Sequence, residues 1–344
     1  MFVNIIACGR NGSTLLTRLL DGHQNLVLYP NEVNLFRISK NKRNSKNFFK
    51  EFFNKELLIL DQTCKENLQK KKLRDFKKKT SWNKNLNFLQ NLFNNYIYHY
   101  DKFYKKKIKN ILIFKSTDVE NIEKYQKNFP TMKFIHLVRD PLTNYESIKR
   151  SRLQFKSKTI FQEQKSLLEN FIENRWRKHL DFYFKINSLN QENHLLIKYE
   201  DLCDKTNFTL NKILKFLNSN NKKINNTQSI FNGQSFRNLP NSSSERKIPT
   251  NFKAVNLRKK YKYNNILDKS EIYLINLTLG KLMKKLNYPK LKFHIDKFNI
   301  LRPKSWEFSN FLNIKQKEDL LINLLFPFLY IKYKIYKLGL LIKN

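Results

Sequence analysis

A chain of 344 residues, 40% of them hydrophobic and including 29 Phe and 16 Tyr, can bury one large core or two modest ones, which excludes a disordered or fibrous protein. Its net charge of +39 points toward nucleic acid or an anionic membrane, but Lys, Asn, Ile, Phe and Tyr are abundant together while Ala, Gly and Pro are scarce. That joint bias is what AT-rich codons produce, and it accounts for most of the charge without any function. Cys8, Cys64 and Cys203 form no Cys-x-x-Cys pair and the six His add no metal-ligand spacing, so neither a disulfide framework nor a metal site is expected. The opening residues read as a strand rather than as a basic segment before an apolar signal core, so a reducing, cytoplasmic location is expected.

Phe2-Val3-Asn4-Ile5-Ile6-Ala7-Cys8 reads as a buried strand that runs without a linker into Gly9-Arg10-Asn11-Gly12-Ser13-Thr14-Leu15-Leu16, a tight turn and a helix start. Two of only six glycines stand three apart here: Gly9 lets the chain reverse, and Gly12 lets backbone N–H groups approach an anion. The turn has the form of a P-loop without the Lys of Gly-x-x-x-x-Gly-Lys-Ser/Thr, and Arg10 is its cation.

A second strand, Leu26-Val27-Leu28-Tyr29, ends at Pro30-Asn31-Glu32. From 38 to 107 the chain is rich in Lys and Asn, with Phe48, Phe49, Phe52, Phe53, Leu57 and Leu58 at helical spacing, which predicts a mainly helical insertion. The runs Lys70-Lys71-Lys72 and Lys77-Lys78-Lys79 lie on its solvated face in this reading. Strands return at Ile111-Leu112-Ile113-Phe114, ending at Lys115, and at Phe134-Ile135-His136-Leu137-Val138, ending at Arg139. Asp140 as cap and Pro141 in the first turn predict a helix over 141–151. Leu168, Ile172, Trp176 and Leu180 predict an amphipathic α-helix over 161–184, with Trp176 as packing.

The last strand, His194 to Tyr199, precedes a helix marked by Leu210, Ile213, Leu214 and Leu217, and 218–262 is loop-like. Strands alternating with helices predict an α/β fold, three layers with a central parallel sheet. Gly9, Lys115, Arg139 and Tyr199 then all fall at the carboxyl ends of strands, where such sheets bind ligands. One domain is expected over 1–300 and a hydrophobic and basic helical extension over 301–344. The extension is too broken to span a bilayer, leaving docking on the core and peripheral membrane contact open.

The turn, followed by Leu20-Asp21-Gly22-His23, resembles the 5'-phosphosulfate loop of the sulfotransferase family, Arg-Ser-Gly-Thr/Ser-Thr-Leu-Leu before Leu-Asp-x-His-Pro. Asn11 stands where that family has Ser, and Gln24 where it has Pro. Val138-Arg139-Asp140-Pro141 with Ser147 resembles its 3'-phosphate motif, and Tyr199-Glu200-Asp201-Leu202 its Tyr-Glu-Asp-Leu. The resemblance implies a P-loop-like sulfotransferase fold and transfer of a sulfuryl group from 3'-phosphoadenosine 5'-phosphosulfate to a hydroxyl, without a metal. It is closer to the carbohydrate and tyrosylprotein types; the acceptor stays open among carbohydrate, lipid and protein, with a carbohydrate or glycolipid expected. The Arg-Lys-Gly-x-x-Gly-Asp-Trp-Lys segment of hormone-type members is missing.

By the same resemblance Arg10 stabilises the leaving phosphate, and Asn11, Gly12, Ser13, Thr14 and Leu15 cradle it. Arg139 and Ser147 grip the 3'-phosphate, Lys115 contacts the transferring group, and Arg237 and Ser244 close over the nucleotide. Tyr199 either bonds the donor phosphates or fills the core. Glu32 matches the family's general base, with His23 as its rival. Two other classes compete: a P-loop kinase, disfavoured by the missing Lys, and a basic protein binding nucleic acid or anionic lipid without catalysis.

Overall fold

The computed structural model describes residues 1–20, 23, 25–38, 40–53, 81–104, 111–154, 167–188, 192–219, 267 and 269–289. Cys64, the two Lys runs, Arg237, Ser244 and the 301–344 extension lie outside these residues. In chain order the main elements are β1 Phe2–Ala7, α1 Ser13–Leu20, β2 Leu26–Glu32, α2 Phe88–Tyr104, β3 Ile111–Ser116, α3 Ile122–Asn128, β4 Lys133–Val138, α4 Pro141–Gln154, α5 Lys178–Ser188, β5 His194–Lys198, α6 Tyr199–Asp204, α7 Thr206–Phe216 and α8 Lys269–Lys285. Two compact units result, Met1–Arg139 with Lys178–Lys262, and Asp140–Arg177 with Tyr263–Asn344.

The first unit holds one parallel sheet in the order β2-β3-β1-β4-β5. β1 suits the central place because, Asn4 apart, it is apolar on both faces: Val3, Ile5, Ile6 and Ala7 are all fully buried. Side chains alternate across the sheet, so Phe2, Asn4 and Ile6 share one face with Phe114 and His136. Phe93 of α2 packs there against Phe2 and Phe114, ring centroids 5.0 and 5.1 Å away, and Tyr125 of α3 lies 6.4 Å from Phe114. His179 brings α5 to that same face. Lys115, next along β3 and therefore on the other face, reaches Thr14 of α1. Helices thus cover both faces of the expected three-layer α/β arrangement.

The chain leaves β1 for β2, returns to β3 beside β1, and then crosses β1 to β4 and β5 on the other side. The crevice at the carboxyl ends of β1, β3 and β4 is therefore a topological switch point. Helices occupy 46–53 and α2 in the Lys- and Asn-rich region. Asn91 and Asn95 of α2 stitch the 81–87 segment to it: Asn83 N–H bonds Asn91 Oδ1 at 2.8 Å, and Ser81 N–H bonds Asn95 Oδ1 at 2.9 Å.

In the second unit Asp140 caps α4 as expected, its Oδ1 accepting from Thr143 N–H at 2.8 Å. Lys149 of α4 pairs with Glu271 of α8 at 2.7 Å, and Tyr145 OH bonds the other Glu271 oxygen at 3.3 Å. Leu168, Ile172, Trp176 and Leu180 are buried, but Asn170–Arg177 is a π-helix rather than the α-helix that their spacing predicts. A four-residue step overshoots a full α-turn by about 40° and falls short of the wider i→i+5 turn, so the spacing marks the buried side chains without selecting between the two ladders.

Candidate functional site

The loop after β1 is built on left-handed backbone: φ is 84° at Gly9, 56° at Arg10 and 90° at Gly12. Arg10, a residue with a Cβ in that region, is held there by its neighbours. Its carbonyl accepts a bond from Arg139 Nη1 at 3.1 Å, and the adjacent Asn11, fully buried, donates from Nδ2 to Leu137 O at 3.0 Å. Asn11 is therefore the pin that ties the loop to β4, which its place in the motif did not reveal. Leu16 N–H bonds Gly12 O at 2.9 Å and starts α1. The N–H groups of Ser13, Thr14 and Leu15 precede that first helical bond, with no acidic side chain in the turn, so this helix end favours an anion.

Tyr199 closes the loop from the β5 side. The strand stops at Lys198 and Tyr199 opens α6. A Cβ built on Gly12 would fall 2.4 Å from Cδ2 of Tyr199, so the ring occupies the space any other side chain would need. The Arg139 guanidinium lies 4.6 Å from the centroid of the same ring. Burial first, then Cys203, pushes the Tyr199 hydroxyl well above the usual phenol range. Tyr199 thus remains a neutral wedge between loop and strand end.

Lys115 and Glu32 face each other as register partners on β3 and β2, after an irregularity in β2 between Leu28 and Glu32. Lys115 is 7% exposed, and its Nζ donates to Thr14 Oγ1 at 2.9 Å, the first turn of α1. Burial lowers its pKa to about 8, against the opposing pull of Glu32, so it is mainly charged at neutral pH and within reach of deprotonation. Glu32 is exposed and its Oε1 accepts from Asn34 Nδ2 at 2.7 Å and from Thr117 Oγ1. One cation and one carboxylate thus stand beside an anion-favouring helix end.

His23 sits elsewhere. It follows α1 and precedes the first residue of β2, buried with its Nδ1 accepting from Asn25 N–H at 3.2 Å. The length of β2, roughly 20 Å, separates it from Glu32. Ser147 is carried by α4 of the second unit. Asn34 and Thr117 were not singled out from the sequence, and no spacing signal marks them. Among the described residues no three His, Cys, Asp or Glu side chains form a group able to hold a metal ion.

The family model described as "Sulfotransferase family" matches residues 3–221. No curated protein matches the chain. Among solved structures it is similar to a sulfotransferase domain from the Synechococcus PCC 7002 olefin synthase, at 23% identity over 66% of this chain and 77% of that one, TM-score 0.42. It is also similar to a sulfotransferase domain from the curacin biosynthetic pathway, at 20% identity over 84% and 98%, TM-score 0.48. A third is sulfotransferase STF9 from Mycobacterium avium, at 11% identity over 84% and 77%, TM-score 0.43.

Proposed function

From the premise that the chain belongs to the sulfotransferase family, we propose that it moves a sulfuryl group from 3'-phosphoadenosine 5'-phosphosulfate to an acceptor hydroxyl. The observation that carries this reading is the meeting of Lys115 with Thr14 at the α1 N-terminus, with Glu32 on the neighbouring strand. A donor of this kind bears phosphate and sulfate groups that match a helix end, Arg10 and Lys115. The acceptor oxygen forms the new O–S bond while the S–O bond to the 5'-phosphate breaks, and the acceptor proton passes to Glu32. Arg10 and the N–H groups of Ser13, Thr14 and Leu15 take up the charge that develops on the departing phosphate.

Arg139 marks the 3'-phosphate position, and the family resemblance assigns Ser147, Arg237 and Ser244 to the same nucleotide. Tyr199 holds Gly12 and Arg139 in place. The acceptor is a carbohydrate or glycolipid hydroxyl, encountered in the cytoplasm. No described helix is long and apolar enough to cross a membrane.

Isothermal titration with adenosine 3',5'-bisphosphate tests the donor site. We expect binding by the wild type to weaken at least about tenfold in Arg10→Ala and in Arg139→Ala, as loss of a charge-assisted contact implies. Tight binding of ATP with Mg2+ and none of the bisphosphate would instead favour a kinase. Transfer of 35S from labelled donor into pooled glycolipid, polysaccharide and protein fractions tests the reaction. Glu32→Gln should lower it by about 100-fold or more.

A further inference from the structure

We propose that Asn34 and Thr117 are positioning residues for the general base: together they hold the Glu32 carboxylate so that Oε2 faces the acceptor proton. This rests on the reading of Glu32 as the base. The loops leaving β2 and β3 are laced together. Val33 N–H bonds Lys115 O at 2.9 Å, and Phe36 N–H bonds Asp118 Oδ2 at 3.2 Å. Arg37 donates to Thr117 O at 3.1 Å and pairs with Asp118 at 3.4 Å, whose side chain is fully buried.

Within that lacing the orientation of Asn34 is determined. The Thr117 N–H can only donate, and it meets Asn34 Oδ1 at 2.9 Å, with Ser116 Oγ at 3.2 Å from the same oxygen. The amide NH2 must then point the other way, to Glu32 Oε1 at 2.7 Å. Thr117 has one hydroxyl proton, and Glu32 Oε1 is closer to Oγ1 than Asn34 Oδ1, which is 3.5 Å away. Both hydrogen bonds therefore fall on a single carboxylate oxygen. Oε2 carries none among the described residues, so it is the oxygen that receives the proton as the O–S bond forms.

Neither Asn34 nor Thr117 touches the reacting atoms in this scheme. Their contribution is to fix one rotamer of an exposed side chain with three rotatable bonds, so that the carboxylate waits in the geometry it needs. Thr117→Val keeps the shape and removes the proton donor; Thr117→Ser keeps the donor.

The test uses 35S transfer from the labelled donor into the pooled acceptor fractions, with full-length protein. For Thr117→Val and Asn34→Ala we expect turnover to fall about 10- to 100-fold. The donor concentration at half-saturation and the affinity for adenosine 3',5'-bisphosphate should stay within about twofold. Thr117→Ser should recover to within about threefold of the wild type. The double variant Glu32→Gln/Thr117→Val should be no slower than Glu32→Gln alone, because a positioning residue has nothing left to position. Full turnover in Thr117→Val, multiplied losses in the double variant, or an equal loss of nucleotide affinity would overturn the assignment. If Glu32→Gln itself keeps full turnover, the base has been misidentified and this inference goes with it.

Discussion

Gly12 shows how one residue can carry three constraints. Its φ of 90° costs an L-residue about 1–2 kcal/mol, its carbonyl starts α1, and its missing Cβ leaves room for the Tyr199 ring. The ring has little freedom to yield, with the Arg139 guanidinium over its face. Gly12→Ala is therefore expected to lower the urea unfolding midpoint and to reduce bisphosphate affinity more than tenfold. Tyr199→Ala in the same background should restore part of the stability, and the mismatch between single and double changes measures the clash. If Gly12→Ala binds the bisphosphate like the wild type, the loop tolerates a Cβ and this account of it fails.

The glycine was legible because glycine is rare in this chain. Tyr199 was legible as a motif but not as a wedge, since the glycine it packs against lies far upstream in the sequence. Asn34 and Thr117 carried no signal: in an Asn-rich background a further Asn says nothing, and its partner is 83 residues away.

At the scale of elements, β1, β4, β5 and α5 are joined by a chain of buried side chains whose positions in the sequence carry no metal-ligand spacing. Cys8 Sγ lies 3.5 Å from His179 Nδ1. His179 Nε2 meets His136 Nδ1 at 3.0 Å, and His136 Nε2 meets His194 Nδ1 at 2.9 Å. His179 and His136 each offer both ring nitrogens to neighbours in a line that ends at His194 Nδ1, so a single tautomer choice propagates along it. Burial holds all three imidazoles neutral, with pKa lowered to about 3 for His179, to about 4 for His194 and well below normal for His136, where its two histidine neighbours add to burial.

The unfolded chain takes up these protons near pH 6.5 and the folded one only well below that, so acid favours unfolding across the interval. Stability should fall steadily as pH drops from 6.5 toward 4, by up to about 1.4 kcal/mol per pH unit for each histidine. Urea midpoints at pH 7, 6 and 5 measure it. His179→Gln should flatten the slope above pH 5, where ordinary carboxylates barely titrate. A midpoint constant from pH 7 to 5 would contradict the buried neutral chain. The strands and helices themselves were readable from period and caps, but the π-helix was not. Periodicity identifies which residues are buried more securely than it identifies the ladder that brings them inward.

For the whole molecule the question is whether a charge of +39 is a function or a burden. With 28 acidic residues against 67 Lys and Arg, 39 positive charges stay uncompensated by acidic side chains, whatever pairs form. Described pairs such as Arg37 with Asp118 and Lys149 with Glu271 use acids to fasten loops and helices, so the surplus is spread rather than neutralised. Self-repulsion of that surplus opposes the compact state, and screening relieves it. Between about 10 mM and 150 mM salt the Debye length falls from about 30 Å to about 8 Å, which removes repulsion between distant charges while leaving buried pairs nearly untouched. The thermal midpoint should therefore rise over that range. Retention on nonspecific DNA should fall steeply over the same range and be indifferent to Arg10→Ala, whereas bisphosphate binding should persist and depend on Arg10. A thermal midpoint that drops with salt would mean that surface ion pairs outweigh the surplus. Nucleic-acid retention that survives 150 mM salt and requires Arg10 would mean that the loop after β1 serves a polyanion rather than a nucleotide.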